Sequence, residues 1–310
     1  MDQVAYQFFH DNGYLILGKV LTDAEVDRFV TGFDSNRSDS GYQWRYLGRD
    51  THQTGNCEAL TSWVELDDIV RHPGILPVVQ ALMGDPLSIL EVSTRHMDVH
   101  PDAVTIPQQW HRDTPHVASH PLRMDYIQAM VYLTDVNEDT HCFTISPEAV
   151  DSPILDRDAQ LAGGGMAYLY GPAGTVILFN ASVLHTATVR TTRYERKTIQ
   201  TYYCHRASKL GKLDMVIPAQ LWRDHPDPAA RELYGPQAQA PPPLSYRELH
   251  AGHLEIAIQP DPTDTLSQDA CPWNAADKTD THTCVVRGKT LCQYFHGIKR
   301  PDIVLCAYPA

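Results

Sequence analysis

The sequence has no surplus of basic residues. Its 25 lysines and arginines stand against 38 aspartates and glutamates, a formal charge of −13. That balance disfavours a nucleic-acid partner or an anionic membrane surface. No window approaches the ~18 apolar residues a membrane-spanning helix needs. The opening "MDQVAYQFFHDNGYLILGKV" is acidic early and holds no basic stretch followed by an apolar run, so it does not read as a secretory leader. Seven cysteines, odd in number and scattered, make no disulfide framework. These absences lead to the expectation of a reduced, cytoplasmic protein. Wholesale disorder is also excluded, because 43% of the 310 residues are hydrophobic and only 20% charged, enough for one large domain or two modest ones.

What is present divides by texture. Residues 1–34 carry helical spacing at both ends, with Thr22 as N-cap before Asp23 and Glu25, and "GYLILGKVL" as a strand between them. "HPGILPVVQALMG", 72–84, predicts a helix stopped by Gly84. From about residue 87 the chain turns to strands: "LSILEVSTRHMDV", "YIQAMVYLTDV", "HCFTIS", "MAYLY", "GTVILFNAS" and "KTIQTYYCH" are rich in β-branched and aromatic residues and bounded by turn formers. No helical pattern alternates with them, which argues against a parallel βαβ sheet. The expected fold is mainly β with flanking α-helices, built on a double-stranded β-helix (jelly-roll, cupin-like) core. "LWRDHPDPAARELYG", 221–235, predicts a short helix begun at a proline and closed by glycine, and "PQAQAPPPLS" a linker. The division is therefore a catalytic domain over 1–236 and an extension over 237–310, acting as lid, interface or loosely packed tail. Cys271, Cys284, Cys292 and Cys306 in that extension lack the paired spacing of a zinc module.

The chemistry centres on "WHRDTPH", 110–116. In an extended strand His111 and Asp113 point to one face, where two small ligands can grip a metal. HxD alone is a weak signal, since His96 with Asp98, His100 with Asp102 and His225 with Asp227 repeat it. His111 and Asp113 are favoured because strand-like segments flank them and because a distal histidine, His185, lies within "GTVILFNASVLHTATVRTTRYERKTIQTYY". Two histidines and one carboxylate form a facial triad that leaves adjacent positions open on Fe(II).

On these residues the chain resembles the phytanoyl-CoA dioxygenase (PhyH) family of Fe(II)- and 2-oxoglutarate-dependent oxygenases, over roughly residues 5–205. "FFHDNGYLILGKVLTDAEVDRF", "WHRD" and the His185 segment, with an arginine eleven positions after the histidine, carry the likeness. The resemblance implies that His111, Asp113 and His185 bind iron and that Arg196 holds the distal carboxylate of 2-oxoglutarate, a task suited to a bidentate guanidinium and not to Lys197. Arg190 and Arg193 are the competing arginines. It implies a non-haem iron dioxygenase that consumes O2 and 2-oxoglutarate, releases succinate and CO2, and hydroxylates or desaturates a small organic molecule, such as a secondary metabolite. The carboxylate Asp113 argues against a halogenase. Thr94 and His96 are candidate cosubstrate contacts. Trp110, His116, Tyr126, Gln128, Met130 and Tyr132 are candidate substrate-cavity residues.

The sequence departs from the family pattern where an Asn-Gly turn and a Pro-Gly-Ser-His ending often stand: here Asp139 and Thr140, then Ser146, Pro147, Glu148 and Ala149. Ala187 replaces a small hydroxyl residue two after the distal histidine. Rival readings are an acyl-CoA hydroxylase, for which "HRASKLGK" at 205–212 is the nearest basic cluster, a non-catalytic cupin-like metal protein, and a scaffold working through residues 237–310. A small-molecule substrate is expected as partner, without nucleic acid or membrane; a homodimer stays open.

Overall fold

The computed structural model describes residues 2–47, 53–84, 86–102, 106–113, 126–150, 152–206, 216–235, 254–260, 266–268, 294–300 and 303–306. His116, most of the 205–212 basic cluster, the 236–245 linker and Cys271, Cys284 and Cys292 lie outside them.

The chain begins with α1 (Gln3–Asn12), β1 (Tyr14–Lys19) and α2 (Asp23–Asp39). Local chemistry sets their limits. Asp2 caps α1, and Gly13, at φ 73°, ends it in a left-handed turn where a Cβ would strike Val183 and the Glu148 carbonyl. Thr22 and Glu25 form the reciprocal capping box that opens α2. Short elements follow: β2 (Arg45–Tyr46), β3 (Gln53–Asn56), α3 (Ala59–Ser62), α4 (Asp67–Val70) and α5 (Leu76–Met83), the last ended by Gly84. The strand-rich part is β4 (Leu87–Met97), β5 (Tyr126–Tyr132), β6 (Cys142–Ile145), α6 (Arg157–Gly164), β7 (Ala167–Leu169), β8 (Thr175–Asn180), β9 (His185–Thr188) and β10 (Arg196–His205).

Seven of these strands form one antiparallel sheet in the order β1-β8-β5-β10-β4-β3-β2, and three form a smaller sheet, β7-β6-β9. The two face each other as a jelly roll. Strand alternation gives the large sheet two different faces. Ile127, Ala129, Val131, Val176, Leu178, Ile199 and Tyr203 pack under the helices, against Phe29, Phe33, Leu66 and Val79. Residues of the other parity, Met130, Tyr132, Ile177 and Phe179, meet Phe143, Ile145 and Leu169 of the small sheet. The functional residues lie at one end of this inter-sheet space.

Beyond β10, α7 (Ala219–Trp222) is followed by α8 (Pro228–Tyr234), the helix expected within 221–235, begun at a proline and closed by Gly235; the prolines of "DHPDP" break the helical ladder between the two. His225 and Asp227 of that break serve structure. Arg71 bonds Asp227 Oδ2 (2.9 Å) and Asp67, and His225 Nε2 lies 3.4 Å from Asp67 Oδ2. The extension also contains a sheet of its own, ordered β12-β11-β14-β13, from β11 (Leu254–Pro260), β12 (Leu266–Gln268), β13 (Phe295–Arg300) and β14 (Ile303–Cys306). Among the described residues no helix is long and apolar enough to cross a membrane.

Candidate active site

His111 and His185 are brought together by backbone pairing. They exchange both N–H···O=C bonds, each 3.0 Å, as one antiparallel pair, so the 111 segment lies along β9 as an extra edge of the small sheet. Directly opposed residues share a face, and the two rings stand 4.4 Å apart between centroids. The Asp113 amide donates to the Ala181 carbonyl (3.0 Å), which returns the chain toward the same point. Asp113 Oδ1 then lies 3.3 Å from His111 Nε2 and 3.5 Å from His185 Nε2.

The tautomers are set from behind. His111 Nδ1 bonds the Gln109 carbonyl and His185 Nδ1 the Val183 carbonyl, both at 2.8 Å, so each Nε2 is directed at Asp113, able to donate to its carboxylate or, deprotonated, to ligate a metal. Tyr202 donates its hydroxyl to Asp113 Oδ2 at 2.6 Å, leaving Oδ1 free as a ligand. Burial works against the Asp113 charge, but His185, His111 and Tyr202 together hold its carboxyl well below the usual range. Burial, and then Asp113, push the Tyr202 phenol well up, so it stays a donor. The Asp113 bond, against some burial, raises the His111 pKa. Among the described residues this is the cluster of three or more His, Cys, Asp or Glu whose ligand atoms converge, all within 4.8 Å. Two imidazoles and one carboxylate on one side suit a divalent iron and leave its other side open.

Arg196 begins β10 on the same face as Tyr202. It is 2% exposed, yet its Nε and Nη1 find no hydrogen-bond partner. Burial pushes its pKa down. A buried cation without an anion costs about 3–5 kcal/mol, as for a broken buried pair, and an anionic guest would offset that cost. The competing arginines are otherwise placed: Arg190 donates to the Asn137 and Glu138 carbonyls (each 2.9 Å) and to Tyr170, and Arg193 is exposed. Lys197 points the other way, to Asp34 (2.7 Å) and Glu195 (2.9 Å).

The remaining candidates divide. Thr94 and His96 are not brought to the triad. Thr94 pairs with Ile199 and His96 with Lys197, residues of the helix-side face. His96 lies against Phe33 of α2 and bonds Glu195 at 2.7 Å. Same-face alternation within β4 linked them correctly to each other, but it could not say which face was inward. Tyr126, Gln128, Met130 and Tyr132 do point toward the small sheet, although as packing: Gln128 bonds Gln200 (2.6 Å), Tyr132 the Leu169 carbonyl (2.9 Å), and all four are buried. Trp110 is half-buried and lines a cavity of about 630 Å³ beside His111, together with Gln53, Arg95, Gln109, Thr186 and Val189.

Sequence reading missed Tyr202 and the role of two other residues. Tyr202 shares parity with Arg196, a usable signal once the strand's inward face was fixed. Arg112, inside the HxD segment, makes an ion pair with Glu148 and also donates to the Ser182 carbonyl. Glu148 in turn accepts from the Leu184 amide (2.8 Å). The residue that departs from the family ending thus ties both ligand-bearing segments together.

No curated protein matches the sequence. Among solved structures, the non-heme alpha ketoglutarate dependent carbocyclase SnoK from nogalamycin biosynthesis superposes with a TM-score of 0.57 at 20% identity, over 66% of this chain and 85% of that one. The epimerase SnoN, solved with Fe3+, alpha ketoglutarate and nogalamycin RO, gives 0.58 at 17% identity over 78% and 95%. EctD from S. alaskensis gives 0.57 at 17% identity over 77% and 86%. At such identities these likenesses speak for the jelly-roll fold. The sequence family of phytanoyl-CoA dioxygenase (PhyH), whose cofactor is Fe(II) with 2-oxoglutarate and O2 as cosubstrates, matches residues 9–198, and the chain belongs to that family.

Proposed function

We propose that the protein is a 2-oxoglutarate-dependent non-haem iron oxygenase that oxidises an unactivated C–H bond of a small organic molecule, by hydroxylation or desaturation. The observation that carries this is the pairing of the triad with the unpartnered, buried Arg196 guanidinium. A metal site alone has no need of a buried cation nearby; one that also binds a dicarboxylate does.

In this reading His111, Asp113 and His185 hold the iron, and Arg196 receives the far carboxylate of 2-oxoglutarate. The bound iron supplies the redox chemistry by which 2-oxoglutarate and O2 become succinate, CO2 and an oxidised substrate. The chain's own work is positional. Tyr202 keeps Asp113 oriented, the Gln109 and Val183 carbonyls keep both imidazoles in one tautomer, and the sheets exclude water from the Arg196 side. The cavity beside His111 admits the substrate. Carbocyclase and epimerase activities among the structural neighbours indicate that outcomes other than hydroxylation fit the same scaffold.

Anaerobic addition of Fe(II) and then 2-oxoglutarate tests the reading through the weak visible charge-transfer band of the chelate. The band is expected in the wild type, absent in His185→Ala, and shifted to much higher 2-oxoglutarate concentration in Arg196→Ala. Normal metal binding with no band at any 2-oxoglutarate concentration favours the non-catalytic metal protein instead.

A further inference from the structure

A second arginine faces the same space. Arg95 lies on β4 opposite Thr198 of β10, and its parity is that of Met97, which pairs with Arg196. Both arginines therefore project from the inward face of the large sheet. Their surroundings differ. Arg196 sits among Tyr132 and Cys142, deep between the sheets, whereas Arg95 sits among Tyr202, Cys57 and Glu91. Arg95 also lines the cavity of about 630 Å³ into which His111 opens, 53% of its side chain exposed. That volume lies within the usual range for small-molecule sites, ~300–1,000 Å³.

Arg95 forms one loose ion pair, with Glu91. Its Nε is buried without a hydrogen-bond partner. The acid beside it, Glu91, is 3.6 Å from Nη2, beyond a direct hydrogen bond, and the Oε1 concerned has no partner of its own. Asp113 is already engaged by two histidines and Tyr202. By contrast Arg71, Arg112, Arg190 and Arg223 each donate to carboxylates or carbonyls. A guanidinium with an open fork on a cavity wall matches a carboxylate, which it can hold by two parallel charge-assisted bonds. Gln53 and Gln109 add amide groups around it, and Trp110 offers a flat apolar wall.

We infer that Arg95 is the substrate-anchoring residue of this cavity and that the substrate carries a carboxylate on an apolar body. The carboxylate docks on Arg95 and the body lies along Trp110, which presents its C–H bonds toward the His111 side of the triad. The inference rests on the oxygenase reading for the reaction but not for the binding. It separates two anion positions by their neighbours: Arg196, among Tyr132 and Cys142, for the cosubstrate, and Arg95, on the cavity wall, for the substrate.

The test uses phenylacetate and its neutral analogue phenylacetamide as probes, bound to anaerobic protein loaded with Fe(II) and saturating 2-oxoglutarate and measured by equilibrium dialysis. Saturation keeps the probe from Arg196. The wild type is expected to prefer the carboxylate by about tenfold, a difference of ~1.4 kcal/mol. Arg95→Gln should abolish the preference, and Arg95→Lys should keep part of it. The 2-oxoglutarate concentration that half-develops the chelate band should change less than about threefold in Arg95→Gln, under ~0.7 kcal/mol. Thermal melting of each variant checks the fold, and the charge-keeping lysine variant guards against a glutamine variant that does not fold. Equal binding of both probes by the wild type, or a preference that survives Arg95→Gln, overturns the inference. So does an Arg95→Gln variant whose need for 2-oxoglutarate rises tenfold or more, which would assign Arg95 to the cosubstrate. If the wild type shows no chelate band, the oxygenase reading fails separately, and the probe preference is then measured with metal alone.

Discussion

At the scale of single residues, the site depends on groups that never touch a ligand. Tyr202 is the clearest. Its bond to Asp113 Oδ2 fixes which carboxylate oxygen faces the imidazoles. Tyr202→Phe removes only the hydroxyl, and the expected result is an Fe(II) affinity weaker by about tenfold or more, the usual cost of losing a hydrogen bond that orients a metal ligand. A competitive chelator titration reads this directly, and an unchanged affinity would leave Tyr202 a packing residue. Glu148 works at longer range. It is 7% exposed, pairs with Arg112, which is 14% exposed, and accepts from Leu184. Glu148→Ala leaves a buried cation next to His111 and should lower stability by about 3 kcal/mol in urea unfolding, with weaker metal binding in the folded protein. Replacing Arg112 and Glu148 together by Leu and Met should restore much of the stability without restoring the registration of the two ligand segments.

At the scale of elements, strand parity does most of the sorting. β10 sends Arg196 and Tyr202 toward the small sheet and Lys197, Ile199 and Tyr203 toward the helices. β4, paired to it, sends Arg95 inward and His96 outward. His96 is therefore a structural histidine at the junction of α2 and the sheet. Burial lowers its pKa, with Arg37 acting in the same direction and Glu195 and Asp98 opposing. With the folded value below the unfolded one, its contribution is present above the ordinary histidine range near ~6.5 and is lost as pH falls through the lower folded value. The urea midpoint should consequently fall between pH 7 and pH 5, and fall less in His96→Gln. Identical pH dependence in the two proteins would remove His96 as the cause.

At the scale of the whole molecule, ligand binding and stability are coupled because the triad joins two separate stretches of chain, 111–113 and 185, and Arg196 joins a third. Metal and cosubstrate that bind only the folded form should stabilise it by ~2.7 kcal/mol at a hundred times their dissociation constant. For a domain of this size that corresponds to roughly 5–10 °C in Tm. Scanning calorimetry should show the gain with Fe(II) plus 2-oxoglutarate under anaerobic conditions and its loss on adding a chelator. Arg196→Ala should keep the part due to metal and lose the part due to 2-oxoglutarate.

The order of elements was legible in the sequence wherever short-range chemistry decides it. Capping at Thr22, the glycines after α1 and α5, and the β-branched runs of β4, β5, β8 and β10 all act within a few residues, as does the common face shared by His111 and Asp113 in an extended segment. Residue type and its place after a strand-like run singled out His185, and the family resemblance singled out Arg196. What the sequence could not contain is which of two faces becomes the interior, since alternation is symmetric until a second layer covers one side. Only the packing of α2 on one face of the large sheet, and of the small sheet on the other, turned His96 outward and Arg95 inward. The meeting of residue 111 with residue 185 is likewise a long-range strand pairing, and no local pattern encodes its partner. The ligand types belong to the sequence; their convergence, and the two arginines on the inward face beside it, belong to the tertiary structure.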